Sequence, residues 1–476
     1  MSLPPNKTKI VCTIGPASEK RETMERMLLA GMNVARLNFS HGDFSGHGRV
    51  IENLRAAAAS TGKRLAILAD LPGPKMRIGK LEPEPIELRP GDSFTLTADD
   101  VVGDSGRVSV TFSGLPKSVH SGDTLFLNGG LIQLQAVAVE GSDVRCRVIV
   151  GGELRSRKGL NLPGADLGIS AFTEHDRACM MFALEKGVDA VSQSFVNRAA
   201  DIEAVRSAAA NLGYHPFIIA KIERSVALNH IDEIMDAADG IMIARGDLGV
   251  EVPIEEIPVI QKRLVRLANM RGKPVITATQ MLESMTGNSR PTRAEATDVA
   301  NAILDGTDCV MLSAESAMGS YPVESTAMLS RIAAAIEPHR PVLTVSEMFK
   351  GVELKGTLRP SHLIALGVET SLEYVTPAAV FVPTRSGATA RRIASFRLPV
   401  WIAAVSSQET TCRQLQFTSG VFPIHETEHP EDWKPFVERW LSEQGLSGDL
   451  VLLTEGPSTK HPDANYRMEV LEMRRK

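Results

Sequence analysis

Eight short runs rich in Val and Ile, each followed by a helix-like amphipathic stretch, constrain this chain more than any other feature. They are KIVCTIG (9–15), MNVARLNFS (32–40), RLAILAD (64–70), DAVSQSFV (189–196), PFIIAKIE (216–223), GIMIARGD (240–247), PVITATQ (274–280) and CVMLSAE (309–315). Strands that alternate with helices form βαβ units around a parallel sheet. Eight such units predict a closed (β/α)8 TIM barrel, of class α/β, rather than an open doubly wound sheet. The first intervening stretch, SEKRETMERMLLAG (18–31), reads as a helix with Ser18 as its N-cap and Gly31 as its stop.

One interval breaks the rhythm. Residues 71 to 188 separate the third run from the fourth, and much of that stretch has a period of two. PIELRPGDSFTLTADD (85–100), GRVSVTF (106–112) and GDTLFLNGGLIQLQAVAVEGSDVRCRVIVGGEL (122–154) alternate between Gly-Asp and Gly-Gly turns. That pattern predicts a small all-β unit, a β-barrel lid inserted after the third strand over about 71–162. The catalytic barrel would then comprise 1–70 and 163–340. An insertion at this junction hangs over the C-terminal mouth of a barrel, where barrel active sites sit. PHRPVLTVSEMFKGVELKGTLRP (338–360) reads as a connector. AAVFVPT, PVWIAAV and DLVLLTEG then alternate with helical stretches, which predicts a C-terminal α/β domain over 341–476.

Composition narrows the function classes. A length of 476 residues implies several domains. The net charge of −5 argues against a nucleic-acid-binding surface, which needs a basic excess, although a local basic pocket remains compatible with it. The five cysteines (Cys12, Cys146, Cys179, Cys309, Cys412) are scattered and odd in number, so neither a disulfide framework nor a zinc knuckle is expected. No secretory signal and no membrane span is read in the chain, and the default expectation is a cytoplasmic protein.

Polar residues at the C-terminal ends of barrel strands are candidate site residues. Here they are Arg36, Asn38, Ser40 and His41; Asp70; Lys221 and Glu223; Arg245 and Asp247; Thr277, Thr279 and Gln280; Ser313 and Glu315. Lys221 and Glu223 are two apart and project to one face. With Asp247 on the next strand they form either a magnesium site, which favours one or two carboxylates plus phosphate oxygens, or an ordinary ion pair at the rim.

Several long motifs resemble the pyruvate kinase family. They are KTKIVCTIGPAS with GMNVARLNFSHG, KGLNLPG (158–164), AKIE (220–223), ARGDLGVE (244–251), TATQMLESM (277–285) and RPTRAEATDVANAILDGTDCVMLSAESAMGSYP (290–322). The resemblance implies an enzyme, a phosphotransferase that uses Mg2+ to move the phosphoryl group of phosphoenolpyruvate onto ADP, giving pyruvate and ATP. It implies that Glu223 and Asp247 hold the magnesium. Gly246, Asp247 and Thr279 would bind the substrate carboxylate, and Arg36 and Lys221 its phosphoryl group. Arg77 and Lys158 would bind the ADP phosphates, and Asn38 and His41 would line the nucleotide side. Thr279 would relay the proton that converts the enolate to pyruvate. A homotetramer is implied as well.

Two further expectations follow from the resemblance. Thr384, Arg385, Ser386, Gly387 and Thr389 match the loop that grips an effector phosphate. The family's glycine-rich segment is not recognisable in GPSTKHPDANYRM (456–468), which favours a sugar monophosphate over fructose 1,6-bisphosphate. Asn38, Ser40 and Asp70 match a monovalent-cation site, but Leu71 stands where most of the family has Thr and Lys75 where it has Glu, which leaves the site vestigial. A tethered ammonium replaces the charge that K+ would bring, as in a potassium-independent subgroup. At about 4 Å and an effective dielectric of about 20, each unit-charge interaction is worth ~4 kcal/mol before desolvation. Two rivals share the fold: a magnesium-dependent lyase or aldolase, which has no need of Arg77, Lys158 or a lid, and a non-catalytic sensor, which would lack Lys221, Glu223, Asp247 or Thr279.

Overall fold

The computed structural model describes residues 2–165, 168–340, 360–457 and 465–473. Along the chain, β1 (Lys9–Thr13), β2 (Met32–Asn38) and β3 (Ala66–Leu71) are followed by eight strands of the long interval. These are β4 (Ile86–Leu88), β5 (Ser93–Thr97), β6 (Arg107–Ser109), β7 (Thr124–Leu127), β8 (Ile132–Glu140), β9 (Asp143–Val150), β10 (Gly152–Leu154) and β11 (Leu160–Asn161). Next come β12 (Ala190–Gln193), β13 (Phe217–Ile222), β14 (Gly240–Ala244), β15 (Val275–Ala278) and β16 (Cys309–Leu312). The eight predicted runs close into one parallel barrel, in the order β1-β16-β15-β14-β13-β12-β3-β2. β3 pairs directly with β12, Asp70 opposite Ser192, so the interruption leaves the ladder whole.

Alternation along the strands sorts the barrel interior into layers. Val11, Val34, Leu68, Ile219, Met242, Ile276 and Met311 share an apolar cluster inside the barrel. Two residues further along their strands stand Thr13, Arg36, Asp70 and Lys221. The polar layer therefore rests on an apolar floor, at the C-terminal mouth.

The first helix, Arg21–Ala30, begins later than expected. Ser18 does not cap it; the Ser18 hydroxyl meets the Gly15 backbone, and Lys20 occupies the cap position without a side-chain bond. Gly31 stops the helix as predicted, at φ 120°.

The interval folds as an all-β unit. A six-stranded sheet, ordered β11-β7-β8-β9-β5-β6, accompanies a two-stranded ribbon of β10 and β4. Among the described residues, no regular strand joins the sheet's two edges. Segment 76–79 does so through single bridges, Arg77 opposite Gly159 and Ile78 opposite Val110. Leu160 N donates to Met76 O (3.0 Å) on one side, and Thr111 N to Arg77 O (2.9 Å) on the other.

The C-terminal region is an α/β layer of β17 (Ala379–Pro383), β18 (Trp401–Ser406), β19 (Val421–His425), β20 (Leu450–Glu455) and β21 (Arg467–Glu472), in the order β19-β18-β17-β20-β21. The sequence pattern missed both edge strands: β19 carries Pro423, and β21 is half exposed. Most of the expected connector, residues 341–359, and residues 458–464 of the segment read for effector type lie outside the described residues. This region is bolted to the underside of the barrel. Arg397 pairs with Asp308 at 2.7 Å, both side chains almost fully buried, and the Lys9 ammonium donates to Val421 O at 2.8 Å. Phe417 enters the barrel's interior cluster and stacks on Phe217, ring centroids 5.6 Å apart.

Candidate active site

The polar layer at the mouth is one hydrogen-bonded cluster. Asp70 is 1% exposed and accepts Arg36 through Nε (2.9 Å) and Nη2 (2.5 Å), and the Ser192 hydroxyl at 2.6 Å. The Lys221 ammonium adds looser contacts at 3.3 and 3.4 Å. Burial alone would raise the Asp70 pKa, but Lys221 and Arg36 outweigh it and hold the carboxyl at about 2. Arg36 also donates to Thr13 Oγ1 at 2.9 Å.

Lys221 and Glu223 meet at 2.8 Å. Burial lowers the Lys221 pKa, yet Asp70 and Glu223 together carry it above its ordinary value, so the ammonium stays charged. Glu223 behaves oppositely: burial raises its pKa, and Asp247 adds to that against the pull of Lys221. Its second oxygen accepts Phe195 N at 2.8 Å, and Phe195 is held at φ 58° to present that N–H. A non-glycine residue in the left-handed region carries strain, and such strain clusters at functional sites.

Asp247 does not belong to a strand. β14 ends at Ala244, and Asp247 lies in the first turn of helix Arg245–Glu251, half-buried and without an ion pair among the described residues. Thr279 follows β15 at φ 69° and Gln280 at 54°, a second strained corner. The Thr279 hydroxyl accepts Gly246 N at 2.8 Å and donates to Ala278 O at 2.6 Å.

Three strand-end candidates serve the framework instead. Arg245 is locked onto Asp298 by two 2.7 Å bonds and onto Thr279 O at 2.9 Å. Thr277 is buried and meets Thr307 Oγ1 at 3.0 Å. Glu315, fully buried, accepts Leu282 N (3.0 Å) and Ser313 N (2.7 Å). Two serines missed by the sequence reading belong to the cluster: Ser192, already described, and Ser194, which lies within 2.7 Å of the Lys221 ammonium. Their one local signal was the alternation of two hydroxyls in the run DAVSQSFV, which also carries Asp189 and Gln193.

Toward the inserted β unit, His41 is exposed; partial burial, then the charges of Lys75, Arg77 and Arg36, push its pKa down. The Lys75 side chain is exposed and makes no ion pair among the described residues. Arg77 Nη1 donates to Arg157 O at 2.9 Å, and Lys158 is half-buried. Asn38 Oδ1 accepts Ser40 N at 3.1 Å, and Leu71 is buried. Both connections of the inserted β unit are tethered: Gly73 N donates to Asp176 Oδ1 (2.9 Å), and Arg224 Nη2 to Ala165 O (2.7 Å). Farther off, Thr384, Arg385, Ser386 and Gly387 join β17 to helix Ala388–Ala394, whose first turn holds Thr389. Gly387 N donates to Thr384 Oγ1 at 3.0 Å, while Arg385 and Ser386 are exposed.

Comparison with known proteins decides the family. The family described as "Pyruvate kinase, barrel domain" matches residues 5–326, and "Pyruvate kinase, alpha/beta domain" matches residues 362–470. The chain belongs to the pyruvate kinase family. A pyruvate kinase of Thermococcus litoralis is 46% identical over 463 residues, covering 96% of each chain. One from Geobacillus stearothermophilus is 44% identical over 475 residues, 98% of this chain and 80% of that protein. The crystal structure of a pyruvate kinase from Cryptosporidium parvum superposes with a TM-score of 0.92 at 35% identity, covering 98% of this chain and 96% of that one. A member of the pyruvate kinase family is a phosphotransferase, which sets aside the aldolase and sensor readings. Among the described residues, no helix is long and apolar enough to cross a membrane.

Proposed function

We propose that the barrel mouth transfers the phosphoryl group of phosphoenolpyruvate to ADP with Mg2+, and that the units are a barrel (1–70 and 163–340), a lid (71–162) and a C-terminal domain (341–476). The observation that carries this reading is the cluster of Arg36, Asp70, Lys221 and Glu223, sealed below by an apolar floor, with Arg77 close enough to His41 to lower its pKa. Phosphoryl transfer asks little covalent chemistry of a protein; it asks for positioning and for positive charge around the moving group.

The residues fit a divalent cation. Asp70, Glu223 and Asp247 bring three negative charges against two from Arg36 and Lys221, and Glu223 is left short of positive charge despite its lysine. Each Glu223 oxygen has one partner and keeps a lone pair. Among the described residues no group of three or more such ligands exists, so a cation held by Glu223 and Asp247 takes its other ligands from substrate and water, as magnesium prefers. When bound, it supplies charge neutralisation for the transferring phosphoryl group.

The protein's own residues do the rest. Arg36 binds the phosphoryl group, and Lys221 neutralises charge on the bridging oxygen as the bond breaks. Gly246 N–H and the Thr279 hydroxyl, now bonded to each other, turn to the substrate carboxylate. Thr279 then lies where a proton can pass to the enolate carbon. Asn38, His41, Arg77 and Lys158 hold the nucleotide. The enzyme works in the cytoplasm as a homotetramer, needs no K+, and responds to a sugar monophosphate at Thr384, Arg385, Ser386, Gly387 and Thr389. A coupled assay for pyruvate from phosphoenolpyruvate and ADP, with and without Mg2+, tests the reading: no pyruvate with Mg2+ present overturns it.

A further inference from the structure

The Lys221 ammonium has three N–H groups and, among the described residues, three polar partners. Two contacts are short: Ser194 Oγ at 2.7 Å and Glu223 Oε1 at 2.8 Å. The third, to Asp70, is stretched to 3.3 Å, because Asp70 already accepts Arg36 and Ser192. The N–H facing Asp70 is therefore the one most readily given up to a phosphoryl oxygen, while the other two hold the ammonium in place.

Of those two anchors only Ser194 is uncharged. A cation on Glu223 competes with Lys221 for the carboxylate, whereas the serine hydroxyl keeps its lone pairs. That hydroxyl has one proton, which it donates to Leu71 O at 2.7 Å. It can therefore act only as an acceptor toward Lys221. Ser194 is 3% exposed, so no water replaces either bond without rearrangement.

Leu71 is the last residue of β3, where the lid leaves the barrel. Two residues on, Gly73 sits at φ 67°, so close to the segment after β12 that a Cβ there would fall 2.7 Å from the Phe195 ring and 3.2 Å from Ser194 Cβ. Phe195 in turn holds Glu223. The root of the lid thus rests on the two residues that orient the Lys221 and Glu223 side chains.

We infer that Ser194 is a positioning residue for phosphoryl transfer: its hydroxyl fixes the Lys221 ammonium and ties it to the root of the lid. This rests on the assignment of Lys221 to the transferring phosphoryl group. Ser194 acts through Lys221, and through Leu71 O it makes the placement of that ammonium depend on where the root of the lid lies.

The test is steady-state kinetics of Ser194→Ala in the full chain with Mg2+, beside Lys221→Met. Misplacing a catalytic group by about 1 Å costs up to ~10²-fold in rate, so kcat should fall roughly 10- to 100-fold while the KM for phosphoenolpyruvate changes less than about threefold. Solvent exchange of the pyruvate methyl protons, which depends on Thr279, should persist in Ser194→Ala. A collapsed site would lose both. If Ser194→Ala does not fold, Ser194→Cys, of similar shape but a weak acceptor, carries the same measurement. Turnover within twofold of the parent, a change confined to KM, or parallel loss of exchange overturns the proposal. Failure of the underlying assignment looks different: Lys221→Met would itself remain active.

Discussion

The Lys221 ammonium lies 2.8 Å from the Glu223 carboxylate, and both side chains are nearly closed to solvent. Burying an ion pair is rarely a net gain in stability, because desolvation offsets the attraction. Glu223 is moreover contested, since Asp247 repels the charge that Lys221 stabilises. A pair held under such tension fits the proposed site for a further cation and an anionic substrate.

Removing either carboxylate charge should therefore stop catalysis. Glu223→Gln and Asp247→Asn each keep the side-chain volume, and turnover should fall by at least ~10²–10³. Their stabilities should differ. Glu223→Gln removes an ion-pair partner from buried Lys221 and should lower the melting temperature, whereas Asp247→Asn, unpaired and half-buried, should not. Near-normal activity of either variant at saturating Mg2+ would contradict the metal assignment.

Lys221 and Thr279 should separate the two halves of the reaction. Lys221→Met is expected to abolish phosphoryl transfer while leaving some enolisation of pyruvate. Thr279→Ala should impair enolisation more, since its hydroxyl is the proton-bearing group at that corner. Proton NMR of pyruvate in D2O reads the exchange directly, and equal losses in the two variants would refute the division.

Potassium should be dispensable. Asp70, one of the residues matching the monovalent-cation site, already receives two donors from Arg36, one from Ser192 and a looser one from Lys221. A carboxylate offers about four lone-pair positions, so little remains for another ion. Activity is expected in potassium-free buffer with tetramethylammonium as the salt. An enzyme inert until K+ is added rules this out.

Regulation should act through the exposed turn after β17. Glucose 6-phosphate or ribose 5-phosphate is expected to shift the phosphoenolpyruvate saturation curve, and Ser386→Ala to weaken that shift without altering activity in its absence. Curves that coincide with and without both sugars would remove the effector site.

Lys9 makes a pH prediction. Buried beneath the barrel, its ammonium is destabilised by desolvation, and its pKa falls to about 8 from an ordinary 10.5. Between those values the unfolded chain holds more protons than the folded one, so stability rises with pH across that window. Lys9→Met does not titrate there. The stability difference between parent and Lys9→Met should move in favour of the parent from pH 8 to 10, by up to about 3 kcal/mol. A difference that stays level across that range would show that Lys9 is not desolvated.

The barrel was legible because each of its strands carries its own apolar period, and the polar layer because hydroxyls and charges replace that period at the strand ends. What local sequence could not show was which of those polar groups meet a partner. Arg245, Thr277 and Glu315 look like site residues in one dimension, and their partners Asp298, Thr307 and Leu282 N lie 53, 30 and 33 positions away. The same blindness hid Ser194, whose partner Lys221 lies 27 residues on. Asp247 was placed on a strand because GIMIARGD stays strand-like to its end, while the chain turns into a helix at Arg245. Edge strand β21 escaped because a half-exposed strand lacks a continuous apolar run.

Phe417 has a consequence for how the molecule comes into being. Its ring completes the barrel's interior from below, yet it is encoded more than 100 positions after β16, the last barrel strand. On a ribosome the eight strands can pair before this ring has been made, but they enclose a hollow floor until it arrives. Cut away the C-terminal layer, and the barrel would lose the ring that stacks on Phe217 at its lower end.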